Sequence, residues 1–251
     1  GAWLAKYLLK GYAFPVNFSL CFLVGFVILT ITVLPLGFIN EPPSRTQART
    51  SWLRYFQNAG QIFKRDLNFR RYVYSQLFVS AFEALLAFFT AYALDELGAT
   101  DANVAEFTAV LMAGQMIGEP FWGYMADRRG NRFVLLINIG LACVVTFLAI
   151  FTSSVSVFYA VFAVVSFSRS GINIPSFNIT MEFASSESLP TYVALRSSIV
   201  APFRAVLPLI AGTIVGPIGY QSVFGGAAFL LLTSWGLMWR VREPRHKAER
   251  E

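Results

Sequence analysis

The chain has 251 residues, 56% hydrophobic, 16% aromatic and only 14% charged, against about a quarter charged in ordinary soluble domains, which excludes a water-soluble globular fold. The net charge of +6 does not indicate nucleic acid, because the basic residues are parcelled out between apolar stretches and form no single surface. Cys21 and Cys143 lie inside apolar stretches and the single histidine, His246, lies in a polar tail, so the cysteines read as small buried hydrophobes and no metal site is expected.

A bilayer core about 30 Å thick takes roughly 20 apolar residues per helical crossing. In chain order, residues 1–11 read as the last turns of a helix that starts before Gly1, and the first full span covers 13–39. Residues 40–71 are polar and carry Arg45, Arg49, Arg54, Lys64, Arg65, Arg70 and Arg71. Within them Trp52, Phe56, Ile62 and Phe63 can line one face of an interfacial helix, so the segment reads as a cytoplasmic linker. Further spans follow at 72–94, 103–126, 133–152, 156–180, 191–216 and 219–239. The domain division is the end of one bundle (1–39), the linker (40–71), a six-helix bundle (72–240) and a tail (241–251).

Lys and Arg in short loops are retained on the cytoplasmic side. Apart from Lys6, Lys10, Arg169, Arg196 and Arg204, every basic residue lies in the linker, in the turn at 127–132 or after Trp239. With alternating spans these three places share one side, which puts the C-terminus in the cytoplasm and the chain in a cell membrane. The remaining turn on that side, Glu182 to Pro190, has no basic residue before Arg196.

Displacing the sequence by 202 positions places Pro15 on Pro217, Phe18 on Tyr220, Phe22 on Phe224, Glu41 on Glu243 and Pro42 on Pro244. The first span thus repeats as the last, each closing on a Glu-Pro step, and duplicated bundles are a common plan for transporters. A repeat unit of this length predicts another five helices before Gly1.

After the third span, Gly123, Asp127, Arg128, Gly130 and Arg132 fit G-x-x-x-D-R-x-G-x-R. Gly123 permits close helix approach, Gly130 suits a turn with positive φ, and Asp127 can accept hydrogen bonds or face a helix N-terminus. The pattern resembles the signature loop of the major facilitator superfamily, in the copy between its eighth and ninth helices. The resemblance implies an all-α integral membrane fold, with the spans as helices six to twelve of a twelve-helix transporter. It also implies alternating access between two six-helix bundles, with Asp127, Arg128 and Arg132 stabilising one closed state. Gly212-x-x-x-Gly216-Pro217-x-Gly219 is similar to the family's antiporter motif, but lies in the eleventh helix and ends in Tyr220, so close packing through small residues is the preferred reading.

Ionisable side chains inside a span cost about 2.5–3.5 kcal/mol each on insertion scales and are functional candidates. On the second span Gln76, Ser80, Glu83 and Thr90 form one polar stripe. On the fifth, Tyr159, Ser166, Arg169, Asn173, Ser176 and Thr180 share a face, with Gly171 and Pro175 expected to loosen the helix. On the sixth, Ser197 and Arg204 align near Pro202 and Pro208, and the third offers Thr108, Gln115 and Glu119. The first, fourth and seventh spans carry no interior charge, as expected of helices that pack outside a family cavity.

Glu83, Arg169, Arg204, Gln76, Asn173 and Glu119 are therefore the candidates for binding solute or protons, with a fixed Glu83 to Arg204 ion pair as the structural alternative. The expected function is secondary active transport of a small solute, coupled to protons, in a cavity shared with a missing N-terminal half. No P-loop is present, no cofactor or nucleic acid is expected, and no intramembrane pair suits an enzyme. A transport-dead scaffold or sensor of the same fold is the alternative. The arginines and glutamates leave the sign of the substrate open.

Overall fold

The computed structural model describes residues 16–35, 60–185 and 188–244, and every regular element among them is a helix. The chain divides into two units, 1–51 and 52–251. The described part of the first is the helix α1 (Val16–Val33), about 27 Å long at about 1.5 Å per residue. Thr30 and Thr32 turn their hydroxyls back onto the carbonyls of Phe26 and Ile28 at 2.8 Å, which satisfies them within an apolar helix. The expected helical turns at 1–11, the linker as far as 59 with Trp52 and Phe56, and the tail beyond Pro244 lie outside the described residues.

The second unit contains α2 (Leu67–Asp95), α3 (Asp101–Arg129), α4 (Asn131–Phe151), α5 (Val155–Phe183), α6 (Leu189–Ile218) and α7 (Tyr220–Trp239), after a short helical stretch at 60–65. Helix α2 starts earlier than the hydropathy rise at 72, because Asp66 accepts from the Phe69 N–H at 2.9 Å and caps the first turn. A capping box between Thr100 and Asn103 opens α3, and Gly130, at φ 86°, closes it with the positive φ expected of that glycine.

Helices α2, α4, α5, α6 and α7 are long and apolar enough to cross a membrane. Helix α3 has the length, 29 residues, but Asp101, Glu106, Gln115, Glu119 and Asp127 dilute its apolar character. The bundle has a basic end, with Arg70, Arg71, Arg128, Arg129, Arg132, Arg240 and Arg242, and an acidic end, with Asp95, Glu96, Asp101 and Glu106.

The triplets α2–α3–α4 and α5–α6–α7 exchange their first helices: α2 packs against α6 and α7, α5 packs against α3 and α4, and α4 meets α7. Several polar groups at these seams are paired, as an apolar solvent requires. Ser75 and Ser234 each place a hydroxyl on the other's carbonyl, at 3.0 and 2.8 Å, joining α2 to α7. Trp235 Nε1 donates to the Leu136 carbonyl at 3.1 Å, joining α7 to α4. An aromatic core of Phe89, Tyr92, Phe107, Phe158, Phe162 and Phe224 fills the half toward the acidic end, with ring centroids 4.5 Å apart for Phe107 and Phe162. Helices α3 and α6 are the least covered, and Val200 is the one buried residue of α6.

Close approach occurs at glycines other than those expected. A Cβ on Gly114 or Gly118 of α3 would lie 1.8 or 2.1 Å from the hydroxyl of Ser166 or Ser170 on α5, and one on Gly171 would lie 2.1 Å from the Asn138 amide of α4. Gly123, Gly212 and Gly216 have open space beside them, so the packing role expected of them is corrected among the described residues. Helix α5 also runs unbroken through Gly171 and Pro175: Gly171 serves the α4 contact and loosens nothing. Gly118→Leu is expected to cost about 1–3 kcal/mol by overpacking this seam. Thermal unfolding measures it against Gly212→Leu, and equal losses would show that α3 does not dock through this face.

Candidate functional site

Polar side chains of α2, α5 and α6 meet in two tiers inside the bundle. In the tier nearer the basic end, the fully buried Tyr72 donates its hydroxyl to the Ser176 carbonyl, with Thr180 Oγ1 3.0 Å away. One turn along α2, Gln76 is 3% exposed and accepts at Oε1 from Ser176 Oγ at 2.9 Å and from Arg196 Nη2 at 3.5 Å. Because Arg196 can only donate, the amide oxygen must face it, which sends Nε2 the other way. The Arg196 guanidinium also lies over the Tyr72 ring, 5.9 Å from its centroid.

The second tier lies about 10 Å further along α2, two helical turns on. There Glu83 Oε2 meets Arg204 Nε at 2.9 Å, with side chains 24% and 51% exposed. The sequence alternative of an ion pair is therefore realised, but its exposure decides what it is worth. A pair open to solvent contributes about 0–1 kcal/mol, so it is a tie that can exchange partners. It borders a groove of about 450 Å³ along α6, lined by Arg196, Ser197, Val200, Ala201 and Arg204.

Arg169 of α5 lies seven residues before Ser176 and so shares its face. Because α5 runs opposite to α2, this sets Arg169 at the level of Glu83, and its Nε is buried with no hydrogen-bond partner among the described residues. Asn173 is exposed on the same helix. The expected α5 stripe divides in two: Ser166 faces Gly114 of α3, and Tyr159 pairs with Glu106 and Asn103 near the acidic end. Glu119 is exposed on α3 and, among the described residues, stands apart from both tiers.

At the basic end the loop motif is clasped by residues from elsewhere in the chain. Helix α4 has no side-chain cap from Gly130. Instead the Arg132 N–H donates to Glu243 Oε2 at 3.2 Å, a carboxylate at a helix N-terminus where the dipole favours it. Arg132 Nη2 donates to the Trp239 carbonyl at 2.8 Å, and Asn131 Nδ2 donates to Glu182 Oε1 at 2.8 Å. Arg128 lies 4.6 Å from the Tyr124 ring centroid, and Asp127 is exposed. The segment after α7 is further docked on α2, where Asn68 exchanges hydrogen bonds of 2.9 and 2.7 Å with the Arg242 backbone.

Sequence reasoning passed over Arg196, mentioned only in placing the loop charges, and Glu243, noticed only as a repeat marker. The signal for Arg196 was available: it lies inside the 191–216 span, about two turns from Arg204. A second cavity, of about 300 Å³ between α2, α6 and α7, is lined by Ala81, Phe88, Leu207, Ile214, Gly226 and other apolar groups, and offers no charge to hold a polar solute. Among the described residues no cluster of His, Cys, Asp or Glu could hold a metal ion.

No curated protein matches the chain. A family model described as the Major Facilitator Superfamily matches residues 72–251, well over half of the chain, and the chain belongs to this superfamily of membrane transporters.

Proposed function

We propose that the chain is the C-terminal half of a secondary active transporter that moves a small solute by alternating access, driven by protons. In this reading residues 1–39 end the N-terminal bundle, 40–71 link the halves, 72–240 form the C-terminal bundle and 241–251 are a cytoplasmic tail in a cell membrane. The exposed apolar faces of α3 and α6 then meet the other half.

The observation that carries the proposal is the Glu83 to Arg204 pair, 2.9 Å across α2 and α6, because it is placed inside the spans yet open to a groove. Protonating Glu83 removes the charge that holds Arg204, and α6, the helix least buried in the bundle, is the element so released. The other charged groups of the tiers are Arg196 and Arg204 from α6 and Arg169 from α5, so Glu83 is the one acidic group of the tiers available to exchange a proton. The clasp of Arg132 on Glu243 and Trp239 supports a role for Asp127, Arg128 and Arg132 in holding one closed state.

The test is solute and proton flux by the full-length protein in proteoliposomes under an imposed pH gradient. The expected result is uphill movement of at least one solute with stoichiometric proton flow. Absence of flux for every solute class, from a protein that is folded and oriented, would favour a transport-dead scaffold or sensor.

A further inference from the structure

The two tiers carry a surplus of hydrogen-bond donors and of positive charge. Among the described residues three buried nitrogens at this site have no acceptor: Gln76 Nε2, Arg169 Nε and Arg196 Nε. All three are donors, and no buried acceptor of the tiers is left unmatched beside them. A buried donor left unmade costs free energy that a suitable ligand recovers. The charges run the same way. Arg169, Arg196 and Arg204 stand against Glu83 alone, and Glu83 already engages Arg204.

We infer that the site takes a solute bearing an oxyanion, a carboxylate or phosphate group, and that Arg196, Gln76 and Arg169 receive it. This deepens the transporter reading and rests on it. Arg196 is the principal ligand. Among the described residues its hydrogen-bond and ring contacts are a long contact to Gln76 at 3.5 Å and the Tyr72 ring at 5.9 Å, so the guanidinium is positioned but not consumed. A planar fork held that way presents paired N–H groups to two oxygens of one anion. Gln76, its oxygen occupied by Ser176 and Arg196, can offer only its N–H groups. A neutral solute leaves the guanidinium charge uncompensated, and a cationic one is repelled by it.

The experiment uses the purified full-length protein in neutral-lipid nanodiscs and follows thermal stability, then counterflow in proteoliposomes. The probes are succinate, glycerol 3-phosphate and inorganic phosphate, with glycerol and putrescine as neutral and cationic controls, and phosphatidylglycerol as a separate lipid arm. At least one soluble anion is expected to raise the melting temperature in proportion to the logarithm of its concentration. Arg196→Gln is expected to weaken that response by about tenfold or more, in the range for a lost charge-assisted hydrogen bond. Arg169→Gln, on a different helix, gives an independent reading if the first variant does not fold, and Arg242→Gln removes the same charge outside the spans.

Stabilisation by neutral or cationic solutes alone, by phosphatidylglycerol alone, or by no anion at all overturns the inference. So does an anion response unchanged in both arginine variants. Counterflow separates the two levels: a neutral solute carried across the membrane keeps the transporter and removes the anion site. An anion that binds through Arg196 but never crosses keeps the anion site and removes the transporter.

Discussion

Glu83→Gln is expected to lower proton-driven solute accumulation by about 100-fold, equivalent to about 2.8 kcal/mol at about 1.4 kcal/mol per tenfold, while solute exchange without a gradient continues. The amide keeps the shape of the carboxylate but cannot take up a proton, and it leaves Arg204 without its counter-charge at 2.9 Å. A double-mutant cycle separates those two effects. Glu83→Ala alone strands a guanidinium beside the groove, whereas Glu83→Ala with Arg204→Ala removes both charges. The pair is therefore expected to couple by at most about 1 kcal/mol in thermal stability, with the double variant better folded than the sum of the singles. Accumulation by Glu83→Gln that keeps its full dependence on the pH gradient would assign the proton to another group.

Tyr72→Ala carries the largest expected loss of stability. The ring is wholly buried beside Phe69 and Phe183, with centroids 6.3 and 5.4 Å away. Its hydroxyl is the donor that ties α2 to the Ser176 carbonyl of α5. Removing a buried aromatic side chain costs about 3–5 kcal/mol, a fall in melting temperature on the order of 10 °C for a domain of this size. Tyr72→Phe isolates the hydroxyl and is expected to cost about 1–3 kcal/mol, the penalty of an unmade buried hydrogen bond. Because Arg196 rests over this ring, Tyr72→Phe is also expected to leave anion binding nearly intact while Tyr72→Ala weakens it. Scanning fluorimetry measures the first pair of effects, and a Tyr72→Ala protein as stable as the parent would contradict the assigned packing.

Hydropathy located each of the long helices α1 to α7, since a run of apolar residues bounded by charge is what a bilayer selects. It misplaced several ends because ends are made by other chemistry. Asp66 accepts from Phe69 and draws α2 back past Arg70 and Arg71, which hydropathy assigned to the linker. Glu83 and Arg204 were legible because a charge among apolar residues is conspicuous. Arg196 was not, since it sits near the start of its span, where a long charged side chain is less conspicuous, and only the fold brings it against Gln76.

Glycine shows the same limit from the other side. Gly114 and Gly118 form a G-x-x-x-G pattern that the sequence displays, yet a packing role was expected of Gly123, Gly212 and Gly216. Spacing marks where a helix can approach, whereas the facing surface, here Ser166 and Ser170, decides whether one does. The division of the α5 polar residues between α3 and α2 was likewise out of reach, because both faces present the same residue types.

The exchange of first helices has a consequence for biogenesis. Helix α2 emerges early but finds its most extensive partners in α6 and α7, and the hydroxyl exchange between Ser75 and Ser234 spans nearly the whole bundle in sequence. No ribosome-bound intermediate that stops before the last helix can pair Ser75, seat Asn68 on Arg242 or dock Glu243 on the start of α4. Such long-range closure is slow relative to local pairing. The nascent chain must hold α2 in lipid, half-dressed, until synthesis ends, and quality control that samples unfinished membrane proteins has its widest window on that helix.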